Sequence, residues 1–234
     1  MIATDMPKTL LLFAFVAAAN IAAFVHAESA PPPGFTIPAF TLSPDKRLGV
    51  LVPDEQRYDA GEKNKLVEVS TGRVLAVIVG EPGMEHMNHG GVDPTRWSAD
   101  SSLLLWRVDG KWFPRALVLI KLNGGKVQWQ LDLLKTAQQE ILARARQAAP
   151  KNYAAAKKQN TGNGSAYPEG FTVDVKTDGE EETSVALPLR VHVTLTSNPK
   201  GIEDYPENAR LDSNLEGEVG ADGKFKVLKF DPQA

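Results

Sequence analysis

The chain contains no cysteine among its 234 residues. It therefore cannot form disulfide bonds, use a thiol nucleophile or build a zinc-finger site. Neither sign of charge dominates, because 26 Lys and Arg stand against 29 Asp and Glu, and this balance excludes a polybasic surface for nucleic acid. The Gly-x-Gly-x-x-Gly, Walker and Gly-x-Ser-x-Gly motifs are also missing. The sequence therefore contains no motif for nucleotide binding and no nucleophile elbow of a serine hydrolase.

The N-terminus has the pattern of a secretory signal peptide. Lys8 precedes an apolar run from Leu10 to Val25, and Val25 and Ala27 are the small residues that signal peptidase requires at the −3 and −1 positions. We expect cleavage after Ala27 and export to the periplasm or the extracellular space, without stable membrane insertion afterwards. Translation from Met6 instead of Met1 would give a more typical basic lead.

The sequence indicates a mainly β fold with a helical insertion. After the signal peptide (1–27), a proline-rich leader (28–42) precedes a β-meander region (43–134), a helical segment (135–160) and a second meander (161–234) that we expect to pack on the first. Thr136 and Gln139 form a capping box and apolar residues then recur at helical spacing, which predicts one or two helices over residues 136–159. We expect antiparallel meanders, arranged as propeller-like blades or as a sandwich.

The stretch from Trp97 to Asp132 is predicted to be a three-stranded meander at the centre of the core. Asp109-Gly110 and Asn123-Gly124-Gly125 separate runs rich in Leu, Val, Ile and Trp. Such turns are typical of hairpins, because Asn, Asp and Gly adopt positive φ most readily. We expect the apolar run from Ala116 to Leu122 and the tryptophans to be buried.

A short turn motif occurs twice. Ser43-Pro44-Asp45 opens the folded part and returns 55 residues later as Ser98-Ala99-Asp100, and each copy is followed by a strand and then a glycine turn. On these motifs, residues 43–134 resemble the WD-like β-propeller repeats of bacterial envelope proteins, in which a Ser-Pro-Asp-Gly-Lys turn opens a strand. The resemblance implies a rigid platform for protein partners or, in some members, a hydrolase-associated domain. Two copies are fewer than the four to eight blades of a closed ring, so we expect meanders and not a ring.

One loop has the composition of a metal site. Between the two turns, Met84, Glu85, His86, Met87 and His89 place two thioethers, a carboxylate and two imidazoles within six residues. Methionine sulfur with histidine nitrogen suits copper, and histidine with glutamate suits zinc. The alternative is a surface loop whose Met and His side chains pack against a neighbouring strand, with no metal cofactor.

No motif determines the function, so three classes of protein remain open. The favoured class is a non-enzymatic interaction or structural module, for which an envelope protein is the expected partner. The first alternative is a copper or zinc protein that uses the loop of residues 84–89. The second is a carbohydrate-active hydrolase with a carboxylate pair beside the tryptophans, for which Asp93, Asp100 and Asp109 are the candidates. Asp100 and Asp109 also fit ordinary turn positions.

Overall fold

The computed structural model describes residues 30–164, 166–179 and 182–233. The predicted signal peptide and its cleavage site lie outside the described residues. In chain order the strands are β1 Phe35–Thr36, β2 Leu48–Pro53, β3 Lys65–Glu68, β4 Arg73–Val77, β5 Gly91–Val92, β6 Arg96–Trp97, β7 Leu103–Asp109, β8 Pro114–Asn123, β9 Lys126–Asp132, β10 Thr172–Thr177, β11 Leu189–Thr196, β12 Asp212–Val219 and β13 Phe225–Gln233. The α-helices are α1 Glu55–Asp59, α2 Leu133–Ala148 and α3 Pro150–Gln159.

The strands form three antiparallel sheets, so the prediction of a mainly β fold with a helical insertion is confirmed. The N-terminal sheet has the order β1-β2-β3-β4, and the C-terminal sheet has the order β10-β11-β12-β13. The central sheet has the order β5-β7-β8-β9, and β6 also pairs with β7. Within the described ranges the sheets do not close into a propeller. No helix found there is long and apolar enough to span a bilayer.

The central sheet is covered on both faces. Leu104, Trp106 and Val108 of β7 belong to an apolar cluster shared with the N-terminal sheet. Leu103 and Leu105, which alternate with them, belong to a second cluster shared with α2 and the C-terminal sheet. Successive side chains of a strand point to opposite faces, so a strand with apolar residues at every position is typical of burial on both sides. The prediction that residues 97–132 form the central meander is confirmed.

The repeated turn has the same hydrogen bonds in both copies. The backbone N–H of Ser43 donates to the carbonyl of Leu48 at 2.9 Å, and its hydroxyl donates to Asp45 at 2.7 Å. Ser98 makes the equivalent bonds to Leu103 at 2.8 Å and to Asp100 at 2.6 Å. Each turn leads into the strand that begins a meander, β2 or β7. The two hairpins β3-β4 and β8-β9 also share a register shift after the second residue pair from the turn.

The boundaries differ from the predicted ones at two places. Residues 35–42, assigned from the sequence to the leader, pack into the fold: Phe35 and Thr36 pair with β2, and the indole of Trp97 donates to the carbonyl of Thr41 at 3.1 Å. The capping-box prediction at Thr136 was wrong, because α2 begins at Leu133 and the side chain of Asp132 caps it. β9 therefore passes directly into α2 without a loop.

The C-terminal hairpin turn is held against the central sheet at Gly223. The Gly223 backbone has φ +74°, and a Cβ there would lie 2.6 Å from the indole of Trp129 on β9. Gly124 offers a matched site, since its φ is +56° and a Cβ would meet nothing within 4 Å. Only the first of these glycines therefore combines a left-handed backbone with a close contact.

We predict that Gly223→Ala lowers the free energy of unfolding by about 2–3 kcal/mol, because it adds a steric clash to the backbone strain. Gly124→Ala should cost only about 1 kcal/mol, the strain alone. Urea denaturation of both variants measures the difference. Equal losses would show that the contact with Trp129 does not hold the two sheets together.

Candidate functional site

Trp112 is the most exposed large apolar side chain among the described residues, at 72%. The pairing of β7 with β8 ends at Asp109 and Pro114, so residues 110–113 form a four-residue loop beyond the sheet. The Gly110 N–H donates to the Phe113 carbonyl at 3.0 Å and closes this loop. The prediction that the tryptophans are buried is therefore correct for Trp97 and Trp106 and wrong for Trp112. The loop is longer than the two-residue turn that Asp109-Gly110 suggests, and its extra length carries the indole into solvent.

A cleft of about 460 Å³ opens on one side of this loop. We call it the Trp112 cleft. Three parts of the chain line it: residues 81–89, residues 110–115, and a wall made by Leu134 and Gln138 of α2 with Ala166 and Pro168. Apolar side chains such as Met87 and Phe113 are combined with the polar groups of Asn88, His89 and Gln138, a mixture typical of ligand sites.

The first wall is held in place by a buried amide. The side chain of Asn64, only 2% exposed, donates to the Gly83 carbonyl at 2.9 Å and accepts from the Gly83 N–H at 2.8 Å. At the other end of the loop Gly90 has φ +94°, and a Cβ there would lie 2.2 Å from the Asp109 carbonyl oxygen. Glycine is required at this position because the loop and the hairpin backbone touch.

The opposite wall is held by Glu169. Its carboxylate accepts from Arg146 of α2 at 3.0 Å and from Lys157 of α3 at 2.7 Å. These ion pairs hold Glu169 at φ +53°, an uncommon backbone conformation for a residue other than glycine. Next to it, the ring of Tyr167 packs edge-on against Phe113 with 5.9 Å between the ring centroids. The wall is therefore connected both to the helices and to the Trp112 loop.

A second depression of about 610 Å³ lies on the other side of the loop. We call it the threonine groove. The outward-facing residues of β10 and β11 form its floor, among them Thr172, Thr194 and Thr196. Residues 110–114 border it as well as the Trp112 cleft, so the indole stands between the two depressions. One side of that indole is approached by the ammonium of Lys111, 4.9 Å from the ring centroid.

Most of the charged side chains of both depressions are paired with an opposite charge, whereas the ammonium of Lys111 lies against the Trp112 indole. In the Trp112 cleft, Arg115 donates to Glu81 at 2.9 Å. In the threonine groove, Arg107 donates to Asp109 at 2.7 Å, and the Lys176 ammonium lies 3.5 Å from the Asp174 carboxylate. The surface on both sides of Trp112 therefore presents hydroxyls, amides and neutralised ion pairs, together with the ammonium of Lys111.

The five predicted metal ligands are divided between different surroundings. Met87 and His89 line the Trp112 cleft, and Met87 also packs against the apolar cluster under the N-terminal sheet. The His86 side chain is 93% exposed, with its Nε2 atom 3.9 Å from Glu85. In the described part of the chain no three His, Asp or Glu side chains come together as a metal-binding group. The metal site at Met84, Glu85, His86, Met87 and His89 stays a prediction.

The three candidate carboxylates also lie in different surroundings. Asp100 accepts from Ser98 and Ser102 in the repeated turn, and these hydrogen bonds lower the pKa of its carboxyl to about 2. Asp109 ends β7, where it pairs with Arg107, and Asp93 lines a separate recess beside Arg96. A general acid needs a raised pKa, and the pKa of Asp100 is lowered. The hydrogen bonds of Asp100 instead agree with its assignment to a turn.

Sequence reasoning missed the residues that build the cleft walls. Asn64, Phe113, Gln138 and Glu169 come from four separate segments, and no local pattern connects them. One signal was available, because Trp112 directly follows Asp109-Gly110-Lys111. A tryptophan beside a predicted turn is a candidate for exposure, since turn residues lie at the surface.

Comparison with known proteins does not assign the chain to a family. No protein-family model, curated protein or solved structure matches the chain. The function is therefore proposed from the residues of the site itself.

The Glu169 pairs predict a pH-dependent stability. Partial burial raises the pKa of the Glu169 carboxyl, but the hydrogen bond from Lys157 and the charges of Lys157 and Arg146 outweigh it, so the pKa is below its ordinary 4.5. The pairs therefore stabilise the folded chain above about pH 4.5, and this contribution is lost as the pH falls through the lowered pKa.

We predict that Glu169→Gln lowers the free energy of unfolding by about 1 kcal/mol at pH 7, a modest value because both cations are more than half exposed. At a pH below the lowered pKa of Glu169 the two proteins should be equally stable, since the carboxyl is then protonated. Thermal unfolding across this range measures the difference. A gap that persists at low pH would mean that the ion pairs are not its cause.

Proposed function

We propose that this protein is a non-enzymatic, exported binding module that takes its ligand at Trp112. The observation that supports the proposal best is the exposure of Trp112 at 72%, between two concave surfaces. Covering such an indole is worth about 3–4 kcal/mol of apolar burial. Tryptophan is also the residue type most enriched among those that dominate binding energy.

The surroundings of Trp112 favour binding over chemistry. Asp100 belongs to a turn, and Asp109 and Glu81 are held by arginines, so these carboxylates have structural partners. The walls of the cleft are fixed by Asn64 and Glu169 through hydrogen bonds and ion pairs. A rigid concave surface loses little conformational entropy when a ligand binds.

Export is supported by the N-terminal sequence alone. Lys8, the apolar run that follows it and the small residues Val25 and Ala27 have the order expected of a signal peptide. A chain without cysteine folds without disulfide formation, so an oxidising compartment has no effect on its covalent structure. The proposed place of action is the cell envelope or the medium, where an envelope component is the expected partner.

We predict that Trp112→Ala weakens ligand binding at least about 30-fold, because the indole is the main apolar contact offered to a ligand. The tagged mature protein is cross-linked in an extract of its host's envelope, the co-purifying species is identified, and its affinity is measured with the purified components. The free energy of unfolding of the variant should lie within about 0.5 kcal/mol of that of the parent, since the side chain is exposed.

The matched control is Leu228→Ala, which truncates an exposed apolar residue on β13, in a different part of the molecule. It should leave the affinity unchanged. Equal affinity of Trp112→Ala and the parent would refute the proposal. A ligand that is released by chelator, and that His86→Ala/His89→Ala fails to bind, would instead support the copper or zinc site.

We predict that the exported protein begins at Glu28. Intact-mass measurement of the protein recovered from the periplasm or medium gives the cleavage site. Ala27→Arg should block cleavage, because signal peptidase requires a small residue there, whereas Ser29→Arg, just beyond the site, should be processed normally. Recovery of the uncleaved parent chain from the cytoplasm would contradict export.

A further inference from the structure

We infer that the ligand of the Trp112 site is a neutral oligosaccharide that runs from the Trp112 cleft, across the indole, into the threonine groove. This inference rests on the proposed function, because it assigns a chemical class to the ligand of the same site. It is carried by the arrangement of the two depressions, by the paired charges in them and by the hydroxyl groups on β10 and β11.

The arrangement suits an extended ligand. The Trp112 cleft and the threonine groove have volumes of about 460 and 610 Å³ and share the loop of residues 110–114 as their common border. A compact molecule would occupy one depression and leave Trp112 at its edge. A chain of sugar rings would fill both and place one ring against the indole, where apolar C–H groups of the sugar cover aromatic surface.

The charges suit a neutral ligand. Arg107, Lys176 and Arg115 each have a carboxylate partner within 3.5 Å in these depressions. An anionic ligand would have to compete with Asp109, Asp174 and Glu81 for these cations, and its charge would lie beside their carboxylates. Lys111 also borders both depressions, with its ammonium 4.9 Å from the centroid of the indole ring. A ligand that carries hydroxyl groups leaves the pairs intact and can still accept hydrogen bonds from them.

The threonine groove supplies hydroxyls on a rigid support. Thr172 and Thr196 are direct partners across β10 and β11, and their hydroxyls have no hydrogen-bond partner among the described residues. Thr194 donates to the Asn214 side chain at 3.2 Å, which leaves its oxygen able to accept. Paired strands fix such groups more closely than loops do. The hydroxyl groups of a sugar ring can both donate hydrogen bonds to these threonines and accept them.

A polypeptide ligand fits the threonine groove less well. Extended peptides are held mainly through backbone hydrogen bonds to the edge of a sheet, with pockets for alternate side chains. The groove lies over the outward-facing side chains of β10 and β11, although β10 is the edge strand of its sheet. Its floor is polar, so it offers no pocket for an apolar side chain.

The test titrates the full mature protein with neutral hexasaccharides of glucose, xylose, mannose and N-acetylglucosamine, and with acidic hexagalacturonate as the charged comparison. Binding is measured by calorimetry and tryptophan fluorescence. At least one neutral hexasaccharide should bind, and should bind better than the acidic one. Trp112→Ala should weaken its binding about 30-fold or more, whereas Leu228→Ala should not change it.

The double variant Thr172→Val/Thr196→Val tests the path of the chain, because valine keeps the shape of threonine and removes the hydroxyl. It should weaken hexasaccharide binding roughly 10-fold, the loss expected for one or two hydrogen bonds. A trisaccharide of the same sugar, which fills the Trp112 cleft alone, should bind both proteins equally. An unchanged hexasaccharide affinity would overturn the path through the groove.

Failure of this inference can be told apart from failure of the proposed function. If no neutral hexasaccharide binds while an envelope protein binds in a Trp112-dependent manner, the glycan assignment is wrong and the binding module stands. Tighter binding of hexagalacturonate would overturn the neutral character of the ligand. If neither a saccharide nor an envelope partner depends on Trp112, both proposals fail.

Discussion

The burial of β7 and β8 on both faces is the constraint on which the rest of the structure depends. Leu103 and Leu105 face α2 and the C-terminal sheet, whereas Leu104 and Trp106 face the N-terminal sheet. Where both faces are apolar, a slip of one residue exchanges one apolar set for another, so hydrophobic pattern alone does not determine the register. The register must come from the turns, and it is set at the start of β7 by two hydrogen bonds: the Ser98 N–H donates to the Leu103 carbonyl, and the Leu103 N–H donates to the Ser98 hydroxyl.

The same double burial determines where the central sheet can contact a ligand. Both faces of β7 and β8 are covered by other layers, and the loop between these strands extends beyond them. Trp112 is therefore exposed at the end of the best-packed element of the molecule. Asn64 and Glu169 fix the segments around it through contacts of their own.

Much of the fold follows from local sequence, and the site does not. The Gly124-Gly125 turn, the repeated Ser98 turn and the apolar face of α2 each have a pattern within a few residues, and each was found from it. The cleft depends instead on pairs that are distant in sequence, such as Asn64 with Gly83 and Arg146 with Glu169. The exposure of Trp112 was missed because composition predicts burial for an indole, whereas the length of the loop decides it.

The balance between binding and catalysis depends on what the carboxylates near Trp112 already do. Asp109 and Glu81 neutralise arginines, and the pKa of Asp100 is lowered to about 2 by the hydroxyls of its turn. A hydrolase of sugars needs one carboxyl that stays protonated near neutral pH, and the hydrogen bonds to Asp100 have the opposite effect on its pKa. The groups left to meet a ligand are an indole, threonine hydroxyls, side-chain amides, the imidazole of His89 and the ammonium of Lys111. Such groups suit the binding of a polyhydroxylated chain.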